Sequence, residues 1–394
     1  MEVIIYIMPF ITALFLLIVF NKKMVWWEYL VLILPSLLFT FITQLIMVSV
    51  NSSDTEYFGG YVNRITYYEP WDELVEERHT REVACGTDSD GNTIYETEVY
   101  YTLERKYHSE EYTYVDNESN WEHNLSKKDY ETIKKRMGDK TVFRDMHRDY
   151  HRIDGDAYDI YWDKSVEHLY DITTPHAYKN KIRASQSHTI FKYSDITKED
   201  AKELGLYEYP DINLMNQNPI IGRYASDKDK QRIKYINATY GKAHQFRVYM
   251  LFYEGKDIEV SEQQKAYWQN GNKNEFIVCL GTQGDSIVWC NPFSWCDEPK
   301  LEALTRDYFI QNPKVDIDAY GKWLQTQIPT KWKRKEFSDF EYIHIGLSRG
   351  QYIALIIIMI ILNIGISAIV VMNDIQNEND YEAIINKNLE EEYK

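Results

Sequence analysis

Three long apolar stretches, residues 3–20, 29–50 and 352–372, constrain this chain more than anything else in it. About 20 consecutive apolar residues match the hydrocarbon thickness of a bilayer, so the sequence predicts an integral membrane protein with three transmembrane helices. Amphipathic helices of soluble proteins carry one apolar stripe, whereas residues 353–362 are apolar on every side of a helix. Trp26, Trp27 and Tyr29 fit an aromatic belt where the second stretch begins, and Pro35 is tolerated inside a spanning helix. The first stretch lacks the basic leader and small-residue cleavage site of a signal peptide: Glu2 precedes it and Asn21-Lys22-Lys23 follow it. We read residues 1–50 as a retained transmembrane hairpin and 352–372 as a rear anchor, followed by an acidic tail, 373–394.

Lysine and arginine beside a span are retained on the cytoplasmic side. Lys22 and Lys23 in the hairpin turn therefore place the large polar body outside the cytoplasm. Arg349 and the run Lys331, Lys333, Arg334 and Lys335 point the opposite way, with an acidic stretch beyond the last span. The hairpin lysines abut two spans at once, and on that ground the expected body is extracytoplasmic.

The formal net charge of -17 argues against nucleic acid as a partner, because phosphate contacts need a clustered basic surface. The one basic cluster, Lys331, Lys333, Arg334 and Lys335, lies in the juxtamembrane segment 329–351 and is read either as a contact to lipid headgroups or as a solvated linker. The 33 tyrosines and 10 tryptophans indicate a folded body with amphipathic, adhesive side chains. Cys85, Cys279, Cys290 and Cys296 contain no C-x-x-C pair; Cys290 and Cys296 are candidates for a disulfide, with four reduced thiols as the alternative.

The body divides into two expected regions. Region 51–225 is β-rich: residues 81–85 and 93–107 flank Gly86-Thr87-Asp88-Ser89-Asp90-Gly91-Asn92, a hairpin signal that outweighs the likeness of its Asp-x-Asp-Gly-Asn to a calcium loop. Residues 126–137 form a helix with Ser126 as cap and Gly138 as stop. His147, Asp149 and His151 would share one face of a strand and supply nitrogen and oxygen ligands to a divalent metal; a polar strand with a turn is the plainer account. His147-Arg148-Asp149 is no kinase loop, since Asp154 stands where the asparagine belongs.

Region 226–328 alternates strands (244–253, 274–281, 286–295) with helices (261–269, 299–311, 316–327), an α/β sandwich on a mixed sheet. The helix ending in Tyr267-Trp268-Gln269-Asn270-Gly271-Asn272-Lys273-Asn274 and leading to Phe276-Ile277-Val278-Cys279-Leu280 resembles the TPM domain. That resemblance implies an extracytoplasmic, membrane-tethered module, with phosphatase-like or calcium-binding activity proposed for some relatives. Asn272-Lys273-Asn274-Glu275 stands where the family has an Asp-Asn-Gly lead. The overall layout also resembles uncharacterised membrane proteins of tailed phages.

The expected architecture is thus α+β: three transmembrane helices with a soluble insertion built from a β-rich region and a TPM-like region. The expected function is binding at the cell envelope, to the bilayer and another membrane or envelope protein, in monomeric or homo-oligomeric form and without catalysis. A membrane-tethered metal-dependent hydrolase is the alternative. A pore ranks last, because the spans hold only Gln44 and Asn363 as strongly polar residues.

Overall fold

A computed structural model describes residues 2–20, 26–138, 140–146, 156–185, 195–223, 225–343 and 345–392. The described chain is mixed α and β. It folds as two compact units, a helical one (Met1–Thr55, Ala177–Tyr193, Glu336–Lys394) and a mixed one (Glu56–His176, Ser194–Lys335).

The chain begins with α1 (Glu2–Phe20) and α2 (Trp26–Ser52), then enters the long strand β1 (Ser53–Tyr68). A hairpin of β2 (Trp71–Thr87) and β3 (Thr93–His108) follows, then β4 (Glu111–Asp116) and β5 (His123–Asn124). Helix α3 (Lys127–Met137) starts at Ser126, whose side chain accepts from the Asp129 amide, and Gly138 ends it. Its Tyr130, Ile133 and Met137 recur at helical spacing and bury against Val62, Ile65 and Ile160. Strands β6 (Lys140–Arg144), β7 (Ala157–Tyr161) and β8 (Asp171–Lys179) complete a sheet of order β5-β4-β1-β7-β6, with β8 also on β1.

After the short helices α4 (Lys181–Ala184) and α5 (Lys198–Leu204), β9 (Ile220–Ile221) and α6 (Asp227–Tyr240) lead into a second sheet. It contains β10 (Arg247–Glu254), β11 (Glu275–Gln283) and β12 (Ser286–Ser294), in the order β12-β11-β10-β9. Helix α7 (Glu259–Tyr267) connects the parallel strands β10 and β11, and β12 returns antiparallel. Phe246, just before β10, and Val248, Met250 and Phe252 on one face of it enter a core with α6, α8 (Lys300–Gln311) and α9 (Ile317–Lys331). The other gives Leu251 and Tyr253 to a core with Val260 and Trp268. Burial on both faces explains why these strands are near-continuous apolar runs.

The two sequence regions of the body do not fold as separate units. Strand β1 meets the end of α6 backbone to backbone: a Cβ on Gly59 would lie 2.2 Å from the Asn237 carbonyl oxygen, and one on Gly241 2.1 Å from that of Gly59. Residues 177–193, in contrast, belong with the helical unit.

In that unit, a 3₁₀ turn (Phe337–Phe340) precedes α10 (Arg349–Glu392), which continues through most of the acidic tail. Among the described residues, two helices are long and apolar enough to cross a membrane, Trp26–Ser52 and Arg349–Met372. The expectation of three is corrected by length: at 1.5 Å per residue the apolar run of α1, Ile4–Val19, reaches only about 24 Å against a hydrocarbon core near 30 Å. The two polar residues of the apolar stretches find partners in the bundle. Tyr6 donates to Gln44 (2.5 Å), and Ser36 donates to Asn363 (3.1 Å).

Candidate interaction surface

The β2–β3 hairpin is a ribbon. Its register runs from Trp71 opposite His108 to Thr87 opposite Thr93, with one irregularity near Cys85. At about 3.3 Å per residue it is about 50 Å long. The tip is built by Asp88, whose carboxylate accepts the amides of Asp90 (2.9 Å) and Asn92 (2.8 Å), and by Gly91 at φ 87°. Those bonds fasten a tight turn, as the hairpin reading requires.

Side chains alternate across a strand, so the register sorts the ribbon into two faces. The more polar face carries charged and hydrogen-bonded pairs beside Trp71, Val75, Val83 and Tyr100. Arg81 donates to Glu98 (2.8 Å), His108 lies 2.8 Å from Glu73 while stacking on Trp71, and His79 bonds Thr102 (2.7 Å) and stacks on Tyr100. Such cross-strand pairs stabilise a ribbon in water. The opposite face carries Leu74, Tyr95, Val99, Tyr101, Leu103 and Tyr107, interleaved with Glu76, Arg78, Thr80 and Glu82. Leu74, Leu103 and Tyr107 are 67%, 70% and 66% exposed. Within this face Asp72 and Arg105 form an ion pair near the base.

A two-stranded ribbon is marginal by itself, and a row of large apolar side chains along one face gains stability only when something covers it. Tyrosine suits that task, since its ring buries area at low entropy while its hydroxyl stays hydrogen-bonded. The sequence signals the hairpin and its turn, but not the extent of the ribbon.

No family model, curated protein or solved structure matches this chain.

The polar face also brings together Glu77, His79 and Glu104, whose ligating atoms lie within 4.8 Å of one another. Glu77 and Glu104 are exposed on an open ribbon, without the walls that a hydrolytic metal centre needs to exclude water. The three residues favoured by spacing, His147, Asp149 and His151, lie outside the described residues.

Cys290 and Cys296 are free thiols, as are Cys85 and Cys279. Cys290 pairs with Leu280 within β12, and Cys296 lies beyond that strand in a bridge to Arg334. Six residues of extended chain span on the order of 20 Å, whereas a disulfide needs Cα atoms within about 7 Å. The free thiols match the reduced alternative. Burial pushes the Cys296 thiol up to about 11.

Of the basic run, Arg334 is turned into the protein, whereas Lys331 and Lys333 stay exposed. Arg334 pairs with Glu56, Lys333 and Lys335 pair with Asp297, and Lys331 remains exposed at the end of α9. These ion pairs compete with lipid headgroups for the same charges.

One buried network was signalled only by a charge at the start of each apolar strand. Arg247 and Glu275 are register partners that open β10 and β11, and both are buried. The Arg247 guanidinium lies over the rings of Tyr249 (5.2 Å) and Tyr57 (6.0 Å). The Glu275 carboxylate accepts the Tyr209 hydroxyl and the Asn272 amide (2.8 Å). Burial raises the Glu275 carboxyl above its usual range, against the pull of Tyr209, Asn272 and Arg247. Asn272-Lys273-Asn274-Glu275 thus acts here as a wired turn that positions the second sheet.

Proposed function

We propose that this chain is a bilayer-anchored interaction protein that engages its partner through the Tyr/Leu face of the β2–β3 ribbon. The observation that carries the reading is the exposed row Leu74, Tyr101, Leu103 and Tyr107, opposite the face that holds the Arg81–Glu98 and His108–Glu73 pairs. The partner is a protein with a complementary apolar patch.

Anchoring is supported by α2 and α10, whose outward side chains, such as Leu38 and Ile361, are apolar where a water-facing bundle would carry charge. Lys22 and Lys23 support a body outside the cytoplasm. The order β10-α7-β11-β12-α8-α9 supports the TPM-like reading of region 226–328.

The test places a photo-crosslinking residue at position 103, on the aromatic face, and separately at 102, on the polar face, in the full chain in its membrane. The expected result is a discrete adduct from position 103, abolished by Leu74→Ser together with Tyr101→Ser, and none from position 102. Equal adducts from both faces, or none from 103 in correctly inserted protein, would overturn the proposal. An adduct of twice the chain mass would identify a second copy as the partner.

A further inference from the structure

We propose that Glu77, His79 and Glu104 on the β2–β3 ribbon bind a divalent transition metal of the Zn²⁺ class, which staples the two strands together. Glu77 and His79 stand two residues apart on β2, and Glu104 stands on β3 opposite Val75, so the register puts all three on one face. One ligand atom from each lies within 4.8 Å of the others. A Zn²⁺ ion held at about 2.1 Å from its ligands needs them about 3.4 Å apart, and exposed glutamate side chains close that difference by rotation. The Glu104 carboxylate makes no hydrogen bond or ion pair among the described residues, and Glu77 meets only His79, at 3.9 Å. The imidazole Nε2 lies 2.7 Å from the Thr102 hydroxyl, a neutral contact that a metal can replace.

The chemistry of the three groups selects the ion. The two carboxylates repel one another, and the cations of this face do not neutralise them: Arg81 is paired with Glu98, and Lys106, opposite Glu73, forms no ion pair among the described residues. A doubly charged ion removes that repulsion, and the imidazole nitrogen favours Zn²⁺ over Mg²⁺ and Ca²⁺, which take oxygen ligands. Water completes the coordination on this exposed side. Ligands from both strands tie β2 to β3 within a ribbon that is marginal by itself, and an ion that binds only the paired strands stabilises them by mass action. The site lies on the face opposite the Tyr/Leu row, so its test does not depend on the ribbon's partner.

The experiment is titration calorimetry of the full chain in detergent with ZnCl₂, and with MgCl₂ as the control, alongside hydrogen exchange of the ribbon amides with and without zinc. Saturable Zn²⁺ binding with a Kd at or below about 10 µM is expected, with slowed exchange in β2 and β3. His79→Gln and Glu104→Gln should each weaken zinc binding at least about tenfold and reduce the slowing. Glu96→Gln, further along the same face, should bind as the parent does. No saturation up to about 1 mM Zn²⁺ would overturn the proposal. So would undiminished binding by both variants, which would place the ion elsewhere in the chain, or equal affinity for Mg²⁺, which would mark a diffuse acidic surface. Binding that leaves the ribbon's exchange unchanged would overturn the staple.

Discussion

One Nη1 nitrogen of Arg334 lies between the two carboxylate oxygens of Glu56, at 2.9 and 2.7 Å, joining residues 278 positions apart in the sequence. Both side chains are less than a tenth exposed, and Lys273 approaches the same carboxylate at 3.3 Å. Removing one partner of a buried ion pair leaves an uncompensated charge. Arg334→Met is therefore expected to destabilise the mixed unit by about 2–4 kcal/mol, with Lys273 limiting the loss. Combining it with Glu56→Gln should cost less than the two single changes together, read by chemical denaturation of all four proteins.

Asp318 joins α9 to α6 by accepting from Arg232 (2.7 Å), with Lys228 and Lys322 at 3.0 and 2.9 Å. Burial alone would raise its carboxyl, but these three cations overcome that and hold it well below the usual carboxylate range. A depressed folded value contributes stability above the unfolded value, about 3.9, and loses it as the pH falls toward the folded one. Asp318→Asn should therefore cost about 1–2 kcal/mol at neutral pH, undiminished down to about pH 5 and shrinking below about pH 4. Denaturation midpoints of parent and variant across that range provide the check; a gap that grows on acidification would contradict the assignment.

Asn363 on α10 faces Ser36 on α2, and Thr40 meets Met359 one turn away. Asn363 also returns a bond to the Met359 carbonyl (2.8 Å). Interhelical hydrogen bonds in lipid are worth roughly 0.6–1.7 kcal/mol. Asn363→Leu and Ser36→Ala should each loosen the helix pair by about that amount, without additivity, in a detergent-unfolding assay of the full chain.

Leu103 and Ile65 separate ribbon from core. Ile65 is fully buried, so Ile65→Ala should cost about 2–5 kcal/mol. Leu103 is 70% exposed, so Leu103→Asp should leave stability within about 0.5 kcal/mol while abolishing crosslinking from the ribbon. A thermal transition lowered as far as that of Ile65→Ala would show that the ribbon face is already covered within the protein.

What could be read from the sequence was local. Ser126 and Gly138 delimit α3, and Asp88 and Gly91 delimit the ribbon tip, because caps and turns are settled by bonds over a few residues. Strands β10 to β12 were readable because strands buried on both faces are apolar runs. The partners of the basic run were not legible, since proximity to a membrane helix in sequence does not reveal Glu56 and Asp297.

The sequence by itself determined the hairpin turn, α3, the strands and helices from β10 to α9 and the apolar helices, through hydrophobic period, length and turn chemistry. Only the tertiary structure decided that Glu56 receives Arg334, that Arg247 and Glu275 meet as buried register partners, and that the ribbon reaches from Trp71 to His108 without a cover. These depend on which distant surfaces exclude water from one another, and that pairing is a property of the folded chain, not of any short window in it.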